Sequence, residues 1–235
     1  MPPTVQPPVD ANQAESLITL NRALLTQQLL RGVTHDLRNN LQVVALGSSL
    51  GEENRGSAIA VKVERALDDM VATLDLLSHL GRPPGGEPPV SSLESVLNEL
   101  RLLSDLQRNL PTLRLSITPP PVPVLVAAPR SPLLQVLLNL VSNAKEASGR
   151  PTEQVEVTAT IPMDGRIAIM VDDSGPGGQP AGVPFVTTKD RGLHGGLGVF
   201  CCRTIVERLG GEITWEPRPE RGLRARLVLP ISDRG

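Results

Sequence analysis

Aromatic side chains are almost absent from this chain of 235 residues, which has one tryptophan, two phenylalanines and no tyrosine. Hydrophobic residues nevertheless make up 40% of the sequence, so we expect a core built from leucine, valine, isoleucine and alanine. No apolar run approaches the roughly 18 residues that a membrane-spanning helix requires, and no signal peptide is visible. These absences predict a cytoplasmic protein without membrane insertion.

Charge and cysteine content argue against two further classes of protein. The formal net charge is −2, so the chain lacks the basic excess that is typical of a nucleic-acid-binding surface. Cys201 and Cys202 are adjacent in a segment that we expect to be helical. Such a pair is typical of small buried thiols in a reducing compartment rather than of a structural disulfide.

The N-terminal third of the chain is predicted to be helical. Residues 1–10 are rich in proline and form a predicted disordered tail, whereas residues 11–48 lack proline and read as one long helix. A second helix is predicted over residues 57–80. Apolar residues recur at helical spacing in both: Leu30, Val33, Leu37, Leu41 and Val44, then Ile59, Val63, Leu67, Met70, Leu74 and Leu77. Because two amphipathic helices cannot enclose a core alone, residues 11–81 predict a hairpin that forms a four-helix bundle in a homodimer.

The remainder of the chain is predicted to form a second domain. Residues 82–89 are rich in proline and glycine and mark the linker. In the domain at 90–232, helices are expected at 92–109, from about Ser131, and at 199–209. Strands are expected at 113–117, 122–126, 155–161, 166–171, 212–216 and 224–229. Helices facing a mixed sheet make an α/β sandwich, so the predicted fold class is α+β.

Motifs suited to a nucleotide follow one another in this second domain. Asn139 and Asn143 lie one helical turn apart, so their amides share a face, and amide oxygens are hard ligands suited to Mg²⁺. Asp173 ends a predicted strand before a glycine-rich turn, where its carboxylate could accept a hydrogen bond from an adenine amino group. A glycine loop at 195–198 then runs into a helix whose free N–H groups suit phosphate.

In this order the motifs resemble those of the ATP-binding domain of sensor histidine kinases, a branch of the Bergerat-fold ATPases. The resemblance extends from about residue 12 to 230 and implies ATP and Mg²⁺ as cofactors. It implies that Asn143 binds Mg²⁺, with Asn139 as a second candidate ligand, and that Asp173 binds adenine. The other matched nucleotide positions are Gly175, Gly177, Thr188, Lys189, Gly196, Leu197 and Gly198. Members of the family usually have a short helix in the lid over ATP, where this chain has only the six residues 179–184 between Gly178 and Phe185, so we expect a shortened lid.

A second motif lies on the first predicted helix. His35 lies opposite the apolar stripe, and Asn39 follows one turn later on the same exposed face. The segment His-Asp-Leu-Arg-Asn resembles the phospho-acceptor box of the same family. The resemblance implies that His35 is phosphorylated, that Asp36 orients its imidazole, and that Asn39 orients water for dephosphorylating a response regulator. Asn40 replaces the family's usual proline, so we expect a less bent helix.

Three other functions use parts of this pattern. A chaperone or mismatch-repair ATPase would place a water-activating glutamate where this chain has Asn139. An anti-sigma-type serine kinase would not need residues 11–80, and a histidine phosphotransferase adaptor would not need Asn143 and Asp173. The sequence therefore predicts an ATP-dependent protein-histidine kinase whose partner is the receiver domain of a response regulator, with the last two functions as alternatives. No sensor domain is recognisable, so a separate sensor protein is expected to supply the signal.

Overall fold

The computed structural model describes residues 9–49, 57–80, 86–107, 114–148, 154–162, 164–177 and 196–232. Within these ranges the chain forms five helices and seven strands. The helices are α1 (Ala11–Ser49), α2 (Ser57–Leu80), α3 (Leu93–Asp105), α4 (Arg130–Ser148) and α5 (Gly198–Arg208). The strands are β1 (Ser91–Ser92), β2 (Arg114–Thr118), β3 (Leu125–Val126), β4 (Gln154–Thr160), β5 (Arg166–Asp172), β6 (Glu212–Pro217) and β7 (Leu223–Pro230). Most of the predicted tail and part of the predicted linker lie outside the described residues.

The larger sheet has the strand order β2-β4-β5-β7-β6. β2 and β4 are parallel, and the other neighbouring pairs are antiparallel. Because successive side chains of a strand point to opposite faces, β4 buries every second residue, namely Val155, Val157 and Ala159. α3, α4 and α5 pack on the sheet, while β1 and β3 form a separate antiparallel pair. The predicted α/β sandwich and the α+β class are confirmed.

α4 lies at the centre of the helical layer. Every residue from Leu133 to Ser142 is buried, which is expected of a helix that is covered on all sides. β4 and β5 lie beneath it, and α1, α3 and α5 contact its remaining surface. Leu133, Leu137 and Leu138 are at most 2% exposed, and burying each such side chain stabilises the fold by about 1.5–3 kcal/mol.

The start of α4 is fixed by a carboxylate from the linker. Glu87 accepts a 3.0 Å hydrogen bond from the backbone N–H of Ser131 and a second hydrogen bond from its hydroxyl. Burial acts to raise the pKa of Glu87, but the hydrogen bonds from Ser131 and two nearby arginines outweigh it, so the pKa is lowered. A negative charge at a helix N-terminus also complements the helix dipole. The linker is therefore tied to the helix that organises the second domain.

The N-terminal half of α1 packs directly on the second domain. Leu25, Leu29 and Val33 are at most 3% exposed and belong to the same core cluster as residues of α3 and α4. At Gly32 an added Cβ would lie 1.8 Å from the carbonyl oxygen of Leu106, so the two backbones touch. Of the predicted stripe, Leu30 and Leu41 are exposed in the single chain, by 44% and 55%, as a face to be covered by a second copy would be. α1 has two apolar faces, and the second domain covers the one containing Val33.

The hairpin of α1 and α2 keeps a second apolar surface. Ala66 is 5% exposed and the neighbouring Val63 and Met70 are half-buried, as expected of the α2 face towards α1. Five of the other apolar residues of the two helices recur at helical spacing and are 44–59% exposed; they are Leu30, Leu41, Leu67, Val71 and Leu74. We call these five residues the outer apolar face. In the described part of the chain no helix has the length and hydropathy needed to cross a membrane.

Trp215, the chain's single tryptophan, lies on the edge strand β6. The guanidinium carbon of Arg203, from α5, lies 5.5 Å from the centroid of its ring, within the range of a cation–π interaction. This contact joins α5 to the edge of the sheet.

Candidate functional site

α4 and the start of α5 bring three of the predicted site residues together. Gly198 begins α5 beside both asparagines of α4. A Cβ at Gly198 would lie 3.1 Å from Oδ1 of Asn139 and 3.5 Å from Nδ2 of Asn143. Gly196 has a φ of +75°, which a residue with a side chain rarely adopts. Leu197 precedes α5 and has no side-chain oxygen that could cap the first N–H groups of the helix. Uncapped N–H groups at the start of a helix can donate to an anionic ligand.

Asn139 is engaged by α1. Its Nδ2 donates to Oδ1 of Asn21 at 2.8 Å, and its Oδ1 accepts from Nδ2 of Asn21 at 3.0 Å. Both asparagines are 0% exposed. Nε2 of Gln135 completes the network by donating to Oδ1 of Asn21 at 2.9 Å and to the carbonyl of Ile18 at 3.0 Å. In this arrangement Asn139 does not reach solvent, so a role at a metal ion requires Asn21 to move away.

Asn21 was not among the predicted site residues, although the sequence contains a signal for it. Residues 17, 21, 25, 29 and 33 are spaced by four, and all except Asn21 are leucine or valine. A polar residue within a buried apolar row needs a buried partner. That partner is the amide of Asn139.

Asp173 follows β5 and its carboxylate is held by backbone N–H groups. Oδ1 accepts from the N–H of Gly175 at 2.8 Å and from the N–H of Leu223 at 3.2 Å, and the residue is 6% exposed. Gly177 has a φ of +78°. At Gly175 a Cβ would lie 2.7 Å from the carbonyl oxygen of Ala147, so the glycine turn rests on the end of α4. Asp173 therefore has a defined orientation beside the helix that carries the asparagines.

α4 thus positions both parts of the predicted nucleotide site, the asparagines and the glycine turn after Asp173. Asn143 precedes Ala147 by one turn, a separation of about 6 Å along the axis. The described residues contain no cluster of three or more histidine, cysteine, aspartate or glutamate side chains that could hold a metal by themselves. Mg²⁺ keeps most of its waters and binds few protein ligands together with phosphate oxygens. The amide of Asn143 fits that chemistry.

Two charged side chains near the site, Arg224 and Lys145, have hydrogen-bond partners within the fold and support its structure. Arg224 donates from Nε and Nη2 to the two carboxylate oxygens of Asp172, at 2.7 and 2.6 Å, and these hydrogen bonds raise the pKa of Arg224. Lys145 donates from Nζ to the carbonyl of Ser104 at 2.7 Å, and burial lowers its pKa while Asp105 partly opposes that change. These contacts tie β5 to β7 and α4 to α3.

His35 lies on α1, and its side chain is 57% exposed. Its Nδ1 lies 3.3 Å from Oδ1 of Asp36 and 3.1 Å from Nδ2 of Asn39. Nδ1 donates to Asp36 when it carries the proton and accepts from Asn39 when it does not, so the two contacts belong to different tautomers. Neither contact uses Nε2. The structure therefore groups the three predicted residues around one ring nitrogen.

The structure does not bring His35 to the nucleotide residues. Asn21, which touches Asn139, precedes His35 by 14 residues, or about 21 Å along a helix. Thr188 and Lys189 lie outside the described residues, as does the predicted short lid. The described chain therefore has two separate groups of site residues, one around α4 and one on α1.

Comparisons with known proteins agree with this division. Residues 129–233 match the family described as "Histidine kinase-, DNA gyrase B-, and HSP90-like ATPase". The chain is 29% identical over 212 residues to the sensor protein FixL of Bradyrhizobium diazoefficiens, covering 88% of this chain and 41% of FixL. It is 28% identical over 235 residues to the sensor histidine kinase CpxA of Escherichia coli, covering 94% of this chain and 50% of CpxA. The chain thus spans half or less of the length of these relatives.

A solved structure shows the same fold. The mycobacterial sensor histidine kinase MprB matches with a TM-score of 0.53 at 22% identity, covering 62% of this chain and 98% of that structure. The family match at residues 129–233 includes all the predicted nucleotide motifs, and the alignments with FixL and CpxA cover 88% and 94% of this chain, so they extend into the helical hairpin. The chain is therefore similar to sensor histidine kinases over most of its length, and residues 129–233 match the ATPase family.

Proposed function

We propose that this protein is an ATP-dependent histidine kinase. It phosphorylates His35 from ATP and passes the phosphoryl group to an aspartate in the receiver domain of a response regulator. The observation that supports this most directly is the alignment along α4 of Asn143, the Asp173 turn and the start of α5. The chain also has, separately on α1, an exposed histidine whose Nδ1 contacts a carboxylate.

Asp173 and α4 account for nucleotide binding in this proposal. Asp173 accepts a hydrogen bond from the adenine amino group, because backbone donors already orient its carboxylate. The N–H groups at Gly196 to Gly198 receive the phosphates, and Asn143 would hold a magnesium ion. A bound metal would supply positive charge that neutralises the phosphates. Thr188 and Lys189 are proposed to complete the site.

His35 supplies the nucleophile. The lone pair of Nε2 attacks the γ-phosphorus, the bond from that phosphorus to the β–γ bridging oxygen breaks, and ADP leaves with that electron pair. Asp36 accepts the Nδ1 proton in a hydrogen bond and stabilises the positive charge that develops on the ring. Asn39 contacts the same Nδ1 only in the other tautomer, so it is not needed for the attack. We assign Asn39 to positioning water in a phosphatase reaction on the regulator.

Phosphoryl transfer from ATP to His35 requires a second arrangement of the domains. While α1 packs on α4, Asn21 is hydrogen-bonded to Asn139 and covers it from solvent. His35 lies about 21 Å further along α1. We define this docked state as the closed arrangement and propose that it is inactive. The N-terminal half of α1 must leave α4 before the ATP-binding domain can approach a His35, either its own or that of a second copy.

The outer apolar face supports a homodimer. Leu67, Val71 and Leu74 are spaced by four and three residues, and each is at least 46% exposed. A row of apolar side chains at helical spacing needs a partner surface, and pairing two hairpins gives a four-helix bundle. A second copy of the chain supplies the matching face.

Light scattering at micromolar concentration should give twice the chain mass. Leu67→Glu places a charge within the outer apolar face and should give monomers. Val122→Glu changes an equally exposed apolar residue outside the hairpin and should remain dimeric. A monomeric wild-type protein would contradict the four-helix bundle.

Asp173→Asn should weaken ATP binding by at least about tenfold, because a hydrogen bond to a charged group is lost. The new amide oxygen can still accept from Gly175 and Leu223, so the fold should persist. Titration with ATP and Mg²⁺ measures the change. Asp164→Asn, at an exposed turn of the same sheet, is the matched control, and wild-type affinity in Asp173→Asn would refute the adenine assignment.

His35→Ala should bind ATP but incorporate no phosphoryl group, whereas Asn39→Ala should keep most of its autophosphorylation. Asn39→Ala should lose phosphatase activity towards a phosphorylated regulator by roughly 10² to 10⁴-fold, as expected for loss of a positioned catalytic group. Incubation with γ-labelled ATP, followed by acid and base treatment, measures the label. His79→Ala is the control and should label normally.

The stability of the label separates the alternatives. Phosphohistidine is acid-labile and base-stable, so an acid-stable label that persists in His35→Ala would indicate a serine kinase. A wild-type protein that takes no label from ATP but accepts it from a phosphorylated regulator would indicate a phosphotransferase adaptor. Equal loss of both activities in Asn39→Ala would show that the turn after His35 is structural.

Asn21→Ala should raise the autophosphorylation rate by roughly fivefold or more. It removes the Asn21 amide to which the buried amides of Asn139 and Gln135 are hydrogen-bonded. The loss costs the closed arrangement about 1–3 kcal/mol and shifts the population towards the open one. Initial rates with γ-labelled ATP measure this effect. Asn12→Ala, an exposed change on the same helix, should have no effect, and an unchanged rate in Asn21→Ala would show that docking of α1 does not limit the reaction.

A further inference from the structure

The turn between β6 and β7 folds over the turn that follows β5. We call residues 218–222, which contain two arginines, the arginine turn. Gly222 has a φ of +103°, and a Cβ there would lie 1.9 Å from the carbonyl oxygen of Asp173. A Cβ at Gly177 would lie 3.3 Å from the carbonyl oxygen of Gly222. The two backbones therefore touch at positions where only glycine fits without strain.

Two arginine side chains cross from this turn to the carbonyls beside the proposed adenine carboxylate. Nη1 of Arg218 donates to the carbonyl of Asp173 at 2.9 Å, and Nε of Arg221 donates to the carbonyl of Gly175 at 3.2 Å. Hydrogen bonds from a charged donor are stronger than neutral ones. Together they hold the first and third residues of the Asp173–Gly177 turn.

The hairpin itself does not require these side-chain contacts. The backbone N–H of Arg218 already donates to the carbonyl of Gly222 at 3.1 Å and closes the β6–β7 turn. The register of β5 against β7 is maintained by its ladder and by the bidentate pair between Arg224 and Asp172. Nε of Arg218 also lies 3.6 Å from Oδ2 of Asp172, a carboxylate that Arg224 already binds with two hydrogen bonds. Arg218 and Arg221 both reach the backbone from which the Asp173 carboxylate projects, so their distinct effect falls on the orientation of that carboxylate.

We propose that Arg218 and Arg221 are positioning residues for adenine recognition. They fix the backbone of residues 173–175, so that the Asp173 carboxylate meets the exocyclic amino group of the base. This inference rests on the proposed ATP-binding function and adds to it two residues that act through the backbone of the Asp173 turn. It makes base selectivity depend on a turn that is about 45 residues away in sequence from Asp173.

The test compares two nucleotides that differ only at the base. ATP and purine riboside 5′-triphosphate carry the same triphosphate, but the second has hydrogen in place of the 6-amino group. Their dissociation constants with Mg²⁺ are measured for the wild type, Arg218→Met, Arg221→Met and the double variant. Thermal midpoints are recorded in parallel. Arg166→Met, at the opposite end of β5, is the matched control.

The wild type should prefer ATP by about tenfold or more, the size expected for a hydrogen bond to a charged acceptor. Each arginine variant should lose part of that preference and the double variant most of it, through weaker ATP binding at nearly constant affinity for the analogue. Arg218→Lys keeps a charged donor and should restore part of the preference. Arg166→Met should behave as the wild type.

An unchanged preference in the arginine variants would overturn the positioning role and leave the Asp173 assignment intact. Equal weakening of both nucleotides, in step with a lower thermal midpoint, would also overturn it, because the arginines would then be purely structural. A wild type without any preference would instead show that Asp173 does not read the amino group. That result would refute the adenine assignment itself, which distinguishes it from failure of the inference.

Discussion

The burial of α4 on every side is the constraint on which the rest of the described structure depends. A helix with ten consecutive buried residues, Leu133 to Ser142, needs a sheet beneath it and other helices on its remaining sides. Each polar residue on it must then find a partner inside the protein. Asn139 pairs with Asn21 of α1, and Ser142 accepts a 2.7 Å hydrogen bond from Gln107, which follows α3. The polar residues of α4 thus specify which neighbours cover it.

This constraint explains why the nucleotide residues and the helical hairpin are coupled. Asn139 belongs to the motif that faces α5, yet its amide is complementary to the amide of another asparagine. A buried polar network is favourable only when every member is satisfied. Separating α1 from α4 therefore requires replacing these partners with water or ligand, and that requirement connects the signalling helix to the proposed site.

Local patterns in the sequence predicted the sheet, the central helix and the glycine turns. β4 and β5 were found because their alternation and hydrophobicity are local properties, and the Asp173 turn because its glycines permit few structures. The docking of α1 was not found. Leu25, Leu29 and Leu30 all lie on helical stripes, and spacing alone does not show whether a stripe faces its own hairpin, the other domain or a second copy. The roles of Asn21, Arg218 and Arg221 depend on contacts between distant segments, which periodicity cannot indicate.

The near-absence of aromatic residues leaves one optical reporter in the chain. Trp215 is the only tryptophan, and the guanidinium of Arg203 lies 5.5 Å from its ring. Arg203 is on α5, which begins with Gly198 at the proposed phosphate site. The Trp215 ring therefore lies near a charged residue of the helix that starts at this site. Intrinsic fluorescence of this protein consequently reads a single location, without the averaging over several indoles that complicates such signals in most proteins of this size.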